Sequence, residues 1–301
     1  MDSEKVSIST ADGGIIAALL FPAQAPRALV LLHPATAVTQ GYYEAFARWL
    51  AGLGLSVLTY DYRGTGASRA PGAGSLRASR VTMADWMEED VGAVTRWAAA
   101  RFAALPLLAV GHSVGGHAVA LSDESVRLRA AVMVASHAGT SRLVRGWRER
   151  LWVRFVMRVL GPLLCAVFGY MPGRRIGLGE DLPASVMRQW SRWTGLPRYF
   201  FDDPAMVAER RMRRQRLPLL VLGFDDDPWA NPDAIGMLVA PLVNARLERR
   251  QIAPRDAGVP AIGHMGFFRK RCAALLWPQV GDWLLAQVAG HRAAAEAGAQ
   301  Q

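Results

Sequence analysis

The hydrophobic positions of this sequence fall into short continuous runs separated by segments with helical spacing. The runs are apolar at nearly every position, which is typical of parallel strands buried on both faces. They cover residues 28–32, 55–60, 107–110, 130–135 and 217–223. Residues 6–9 and 15–21 predict an N-terminal hairpin, and residues 43–53 and 82–100 predict helices. This alternation predicts an α/β fold, with a mostly parallel sheet and helices on both faces.

The pattern changes at residue 139, and strand runs return only at residue 217. Residues 142–160 predict a basic amphipathic segment with apolar side chains at four-residue steps: Leu143, Trp147, Leu151, Phe155 and Val159. Gly161 and Pro162 are expected to break it, and residues 182–194 are expected to be helical. The predicted organisation is core at 1–138, an inserted helical cap at 139–216, core at 217–290 and a frayed, disordered tail at 291–301.

The formal charge of +10 is concentrated in the predicted cap. Residues 139–216 contain sixteen arginines and six acids, and 16 − 6 = +10, so the rest of the chain is neutral. These arginines alternate with bulky apolar residues and no recognition motif is present, so no nucleic-acid partner is expected. Peripheral contact with an anionic membrane and binding of an anionic substrate remain open, beside a simple solvated helical surface.

Signals for export and for metal binding are weak. The N-terminus carries acids where a signal peptide is basic, and no apolar segment follows it. Residues 151–171 are strongly hydrophobic, but Arg154 and Arg158 interrupt them, so no membrane-spanning segment is predicted. Cys165 and Cys272 lie far apart and away from any histidine at metal-ligand spacing. We therefore expect no disulfide, no metal and no cofactor, in a cytoplasmic protein.

The motif Gly-His-Ser-Val-Gly at residues 111–115 follows the apolar run 107–110 directly. A strand, a strained turn and a helix in immediate succession form a nucleophile elbow, which exposes the serine hydroxyl. Glycines at both ends avoid Cβ clashes with neighbouring backbone. Chance also produces such a motif in a glycine-rich chain, so its partners must decide the interpretation.

Those partners follow in the chain order nucleophile, acid, histidine. Ser113 is the predicted nucleophile, His264 the predicted base, and Asp226 the predicted acid that orients the imidazole. The three lie after strand runs or near the last one, and the carboxyl ends of parallel strands share one edge of a sheet. The neighbouring acids Asp225 and Asp227 remain alternatives for the third role.

Five short motifs together resemble the α/β-hydrolases of the monoglyceride-lipase and S33 aminopeptidase-like group, and more narrowly a bacterial family of predicted α/β-hydrolases. They are His-Pro-Ala-Thr at 33–36, Tyr-Asp-Tyr-Arg-Gly at 60–64, the elbow with Gly116, Asp-Asp-Pro-Trp-Ala at 226–230 and Gly-His-Met-Gly-Phe-Phe at 263–268. The resemblance covers residues 6–288 and implies a serine hydrolase with the α/β-hydrolase fold. Asp226 follows Gly223 at the spacing usual for that family's acid.

One departure from the family concerns the oxyanion hole. The common His-Gly is His33-Pro34 here, and proline has no amide hydrogen to donate. The predicted donors are therefore the amides of Val114 and Ala35. Large cap side chains are the predicted walls of an apolar substrate pocket: Trp147, Trp152, Phe155 and Trp190.

These features predict an esterase that cleaves a small-molecule carboxylic ester, such as a lipid or acyl ester, through an acyl-serine intermediate. Acyl transfer, thioester cleavage and peptide cleavage use the same triad and remain open. The arginine-rich cap also leaves open a non-catalytic membrane-surface protein that has kept the hydrolase fold.

Overall fold

The structure is a computed structural model that describes residues 2–70, 72 and 75–298. Eight of its strands form one sheet in the order β1-β2-β4-β3-β5-β6-β9-β10, and β7 pairs with β8 in a separate ribbon. The strands are β1 (Glu4–Ser9), β2 (Ile15–Phe21), β3 (Ala28–His33), β4 (Leu55–Tyr60), β5 (Leu107–His112), β6 (Leu128–Val134), β7 (Tyr170–Met171), β8 (Leu182–Pro183), β9 (Pro218–Phe224) and β10 (Arg246–Ile252).

The sheet is parallel from β4 to β10 and antiparallel within the hairpin β1-β2 and between β2 and β4. Strands β3, β4 and β5 are buried at every position, so both faces of the sheet are covered. The predicted hairpin, the five predicted strand runs and the α/β-hydrolase fold are therefore confirmed.

Eleven α-helices occur in the described residues. They are α1 (Glu44–Gly52), α2 (Ser75–Ala78), α3 (Met83–Asp85), α4 (Val91–Arg101), α5 (Val114–Leu121), α6 (Trp147–Phe155), α7 (Gly161–Phe168), α8 (Ala184–Gly195), α9 (Ala208–Met212), α10 (Pro232–Val239) and α11 (Trp277–Gly298). Thr82 caps α3 in a reciprocal capping box with Asp85, where the sequence predicted a helix start.

The chain leaves the sheet after β6 and returns to it at β9. Helices α6 to α9 and the ribbon β7-β8 lie in this interval, which contains the predicted cap, residues 139–216. The interval packs back onto the core: the Glu180 amide donates to Ala37 O at 2.9 Å, and a Cβ on Gly179 would lie 2.6 Å from the same oxygen. The cap segment therefore touches the loop that follows β3.

Helices α6 and α7 are joined by a π-helical segment, Val156–Leu160, into one continuous helix, Trp147–Phe168, which we call the surface helix. The predicted break at Gly161 and Pro162 is wrong. The wider π-helical turn before Pro162 gives its ring the room that a regular α-helical turn denies it. By length and composition alone, the surface helix is long and apolar enough to cross a membrane.

The last helix, α11, extends to Gly298, so the expectation of a disordered tail from residue 291 is wrong as far as residue 298. Residues 291–298 are rich in alanine, which has the highest helix propensity and lets the preceding helix continue. Residues 299–301 lie outside the described residues.

Candidate active site

Ser113 lies between the end of β5 and the first residue of α5, with φ 52° and ψ −111°. A positive φ strains any residue that carries a Cβ, and such strain is typical of functional turns. The flanking glycines make the turn sterically feasible. A Cβ on Gly111 would lie 2.4 Å from the Gly115 carbonyl carbon, and one on Gly115 would lie 2.2 Å from His33 O. The chain therefore folds into the elbow that its motif predicts.

His264 lies in the loop between β10 and α11 and reaches the serine. Its Nε2 lies 3.1 Å from Ser113 Oγ, and its Nδ1 lies 2.8 Å from Asp227 Oδ2. A carboxylate only accepts hydrogen bonds, so Nδ1 carries the hydrogen and Nε2 is free to accept the serine proton. Only 11% of the His264 side chain is exposed. The three side chains thus lie in the arrangement that a Ser-His-Asp triad requires.

The acid that contacts His264 is Asp227, and the prediction of Asp226 is wrong. Strand β9 ends at Phe224, one residue later than the predicted Gly223, so the acid is also displaced by one residue. Asp226 instead accepts the amides of Ile262 (2.8 Å) and Gly263 (3.0 Å). It therefore holds the loop that carries the histidine.

Asp227 is fully buried and remains a carboxylate. Burial raises its pKa, but the positive charge that His264 carries when it is protonated, together with the hydrogen bond from His264, outweighs this and lowers the pKa to about 2. Its second oxygen, Oδ1, accepts the amides of Trp229 (2.8 Å) and Ala230 (3.0 Å). Both oxygens are thus occupied, which fixes the plane of the carboxylate.

The two predicted oxyanion donors differ in the structure. Val114 begins α5, and within the described residues its amide has no hydrogen-bond partner, so it is free to bind an oxyanion. The Ala35 amide donates to the hydroxyl of Tyr43 at 2.8 Å. Tyr43 is fully buried, so this amide is turned into the protein and its assignment to the oxyanion hole is wrong.

A buried chain of hydrogen bonds links the loop after β3 to the histidine loop. His112 Nε2 lies 3.0 Å from His264 O and therefore donates to it, which leaves His112 Nδ1 to accept from Tyr43 at 2.9 Å. Tyr43 in turn accepts the Ala35 amide. Burial lowers the pKa of His112 to about 3, so its ring stays neutral. The sequence placed His112 beside the nucleophile but did not indicate Tyr43.

Trp229 is a site residue whose role the sequence did not indicate. Its ring centroid lies 5.0 Å from that of His264, and its indole donates to Glu149 Oε1 of α6 at 2.8 Å. It is 36% exposed, so it lies where solvent meets the histidine. The ring of His137 packs against His264 from another direction, at 5.3 Å.

The predicted pocket walls are not brought together. Trp147, Trp152 and Phe155 are 67%, 48% and 45% exposed, so they face solvent and their assignment as pocket walls is wrong. Trp190 is half-buried against the core and donates a hydrogen bond to Tyr199. In the described part of the chain, no group of three or more metal-ligating side chains could hold a metal ion.

The sheet order, the elbow and the contacts of His264 with Ser113 and Asp227 define an α/β-hydrolase. Residues 24–190, more than half of the chain, match the family model of the S33 serine aminopeptidases, so the chain belongs to that family of hydrolases. The matched stretch includes Ser113 but ends before Asp227 and His264. None of the curated proteins matches the sequence significantly.

Solved structures support the fold. A soluble variant of monoglyceride lipase from Saccharomyces cerevisiae, in complex with a substrate analogue, aligns with a TM-score of 0.66 and 16% identity over 95% of this chain and 96% of its own. An esterase from Pyrococcus furiosus aligns with a TM-score of 0.60 and 13% identity over 95% and 91%. A bacterial membrane phospholipase A gives 0.54 and 18% over 96% and 87%. At these identities the likeness concerns the fold alone.

Proposed function

We propose that this protein hydrolyses carboxylic esters through an acyl intermediate on Ser113. The observation that carries the proposal is the chain of two contacts, 3.1 Å from Ser113 Oγ to His264 Nε2 and 2.8 Å from His264 Nδ1 to Asp227. A histidine in this tautomer can take the serine proton during attack, and a buried carboxylate stabilises the imidazolium that results.

In the first half-reaction, Ser113 Oγ attacks the ester carbonyl carbon while its proton moves to His264 Nε2. The amide of Val114 stabilises the oxyanion, together with the amide of Thr36, the next residue after Ala35 and without a partner among the described residues. The carbon–oxygen bond to the leaving group then breaks, and the alcohol takes the proton from His264.

In the second half-reaction, water attacks the acyl carbon while His264 removes one of its protons. The bond to Ser113 Oγ breaks, the carboxylic acid leaves, and the proton returns from His264 to the serine. If an alcohol replaces water in this second half-reaction, the same steps give acyl transfer. Thioesters and peptides would acylate Ser113 by the same attack as in the first half-reaction.

Ester cleavage is favoured over peptide cleavage by the similar structures, which include a monoglyceride lipase and an esterase. The S33 family description favours a peptidase as the second candidate. A non-catalytic role at a membrane is disfavoured, because such a role does not require the contact between Ser113 and His264. The net charge of +10 supports peripheral contact with an anionic membrane. We also propose a cytoplasmic location.

The test compares p-nitrophenyl esters of increasing acyl length with a thioester and an amino-acid p-nitroanilide. We expect turnover of esters and a loss of about 10³-fold or more in Ser113→Ala, because the nucleophile is removed. Faster cleavage of the p-nitroanilide than of every ester would favour the peptidase. Equal turnover by Ser113→Ala would refute the acyl-serine mechanism.

A further inference from the structure

The outer side of the surface helix, Trp147–Phe168, carries an apolar stripe that faces solvent. Fifteen large apolar side chains are exposed in the described residues, and seven of them lie on this helix: Trp147, Leu151, Trp152, Phe155, Val159, Leu163 and Val167. Six of the seven follow one another at steps of four. A contiguous exposed apolar patch on a folded protein marks an interaction surface.

The opposite side of the same helix is fixed to the protein. Met157, Gly161 and Cys165 are buried, again at steps of four. A Cβ on Gly161 would lie 2.2 Å from the methyl carbon of Met187 in α8, and Ser191 of α8 donates to Met157 O. Helix α8 therefore holds the surface helix in place, and the exposed stripe is not a core face waiting for another part of the described fold.

The π-helical segment Val156–Leu160 helps to keep the stripe on one side. In an α-helix, residues four apart are rotated by more than one full turn, so a stripe at this spacing drifts around the helix. A π-helical turn contains more residues, so the same step rotates less and offsets part of the drift. The stripe therefore winds less far around the surface helix than it would around a regular α-helix of the same length.

The charges beside the stripe are positive and unpaired. Arg154 and Arg158 are exposed, and neither has an ion-pair partner among the described residues. Arg148 lies over the ring of Trp147, and the Arg175 guanidinium lies 5.6 Å from the ring of Phe168 at the other end of the helix. The only acid on the helix is Glu149, and it is bound by Trp229.

The first turn of the surface helix is attached to the catalytic loop. Glu149 accepts the indole hydrogen of Trp229, whose ring lies 5.0 Å from His264, and the Arg145 amide donates to Pro228 O at 2.9 Å. Pro228 and Trp229 directly follow the catalytic Asp227. A surface bound by the stripe would therefore lie next to the approach to Ser113.

We propose that the exposed stripe of the surface helix is the docking surface of this protein for an anionic phospholipid bilayer, and that docking presents membrane lipid to Ser113. Apolar side chains enter the interface while arginines bind anionic headgroups, which is how amphipathic helices lie on membranes. The proposal deepens the ester hydrolysis proposed above, on which it rests for the identity of the substrate.

The experiment measures co-sedimentation of the full-length protein with vesicles of phosphatidylcholine, with and without phosphatidylglycerol. Leu151→Glu with Leu163→Glu places two acids in the stripe, at side chains that are 56% and 57% exposed. The matched control is Val126→Glu with Val243→Glu, at exposed apolar positions outside the helix (84% and 62%). Turnover of soluble p-nitrophenyl acetate by each variant shows whether the fold and the triad are intact.

We expect the wild type and the control to bind phosphatidylglycerol vesicles and the stripe variant to need about tenfold more lipid, with equal turnover of the soluble ester. Equal vesicle binding by the stripe variant would overturn the proposal. So would equal binding to pure phosphatidylcholine, resistance to alkaline carbonate extraction, or a stripe-dependent dimer that does not bind vesicles. If the wild type and both variants fail to turn over soluble p-nitrophenyl acetate, the proposed hydrolysis is refuted. The vesicle binding of the three proteins would still decide whether the stripe docks on the bilayer.

Discussion

Replacement of Asp227 by asparagine is expected to reverse the tautomer of His264. The amides of Trp229 and Ala230 both donate to Oδ1, so the carboxamide oxygen of the asparagine must take that position. Its NH₂ group then faces His264 Nδ1 across the present 2.8 Å contact. Because NH₂ only donates, Nδ1 loses its hydrogen and Nε2 gains one. An Nε2 that carries a hydrogen cannot accept the proton of Ser113.

The size of the effect follows from the role of the tautomer. An isosteric change that leaves the geometry intact but supplies the wrong tautomer lowers kcat by about 10⁴-fold, or about 5.5 kcal/mol of transition-state free energy. Asp226→Asn is the matched control. Asp226 accepts two loop amides and does not contact the imidazole, so the variant loses one hydrogen bond of about 1 kcal/mol and less than about tenfold in rate.

The assay is steady-state hydrolysis of a short p-nitrophenyl ester by the two variants and the wild type, with urea unfolding to confirm that each variant is folded. Asp227→Asn is expected to be much slower than Asp226→Asn. A larger loss in Asp226→Asn would show that Asp226, and not Asp227, is the acid that orients His264.

The remaining predictions concern buried groups around the site. Burial lowers the pKa of three histidines to about 3: His33, His112 and His117. Between about pH 6.5 and pH 3 these histidines bind protons only in the unfolded chain, so stability should fall by about 1 kcal/mol for each between about pH 7 and 5.5. Burial raises the pKa of Asp90 to about 7, so the folded protein binds about one proton at Asp90 over the same pH range. This proton offsets the loss of stability from about one of the histidines. Urea unfolding that shows greater stability at the lower pH contradicts this. Gly115→Ala, with a Cβ 2.2 Å from a carbonyl of β3, should lose about 3 kcal/mol or more of stability, whereas Gly52→Ala, with no atom within 4 Å, should lose none. Tyr43→Phe leaves the buried Ala35 amide without a hydrogen-bond acceptor and should lower the free energy of unfolding by about 1–3 kcal/mol in the same measurement. An unchanged urea midpoint would argue against that hydrogen bond.

The sheet and the elbow could be predicted because their signals are local. A parallel strand that is buried on both faces is apolar along its whole length, and residues 28–32 and 107–110 show this without help from the rest of the chain. The elbow requires a serine with a glycine two residues before it and another two residues after it. All three lie within the five consecutive residues 111–115.

The acid could not be predicted to the residue, because its position depends on where β9 ends. Asp226 and Asp227 are adjacent and chemically identical. Only the pairing of β9 with β10 through Phe224 decides which of them faces the histidine. The link from Ala35 through Tyr43 to His112 was likewise hidden, since it joins residues that are far apart in sequence.

The surface helix shows a different limit. Its amphipathic pattern predicts a helix, and a helix forms, but the sequence also predicts that its large apolar side chains wall a substrate pocket. In the structure the smaller side chains around Gly161 face α8, and the large apolar ones face solvent. Hydrophobic periodicity shows which side of a helix is apolar. It does not show whether that side packs against the protein or faces solvent.

The most direct test of the central claim is covalent labelling of the nucleophile. Wild-type protein treated with a fluorophosphonate should gain one adduct, and peptide mass spectrometry should place it on Ser113, with no adduct in Ser113→Ala. An unlabelled wild type, or an adduct that persists in Ser113→Ala, would contradict the assignment of this site as a serine hydrolase.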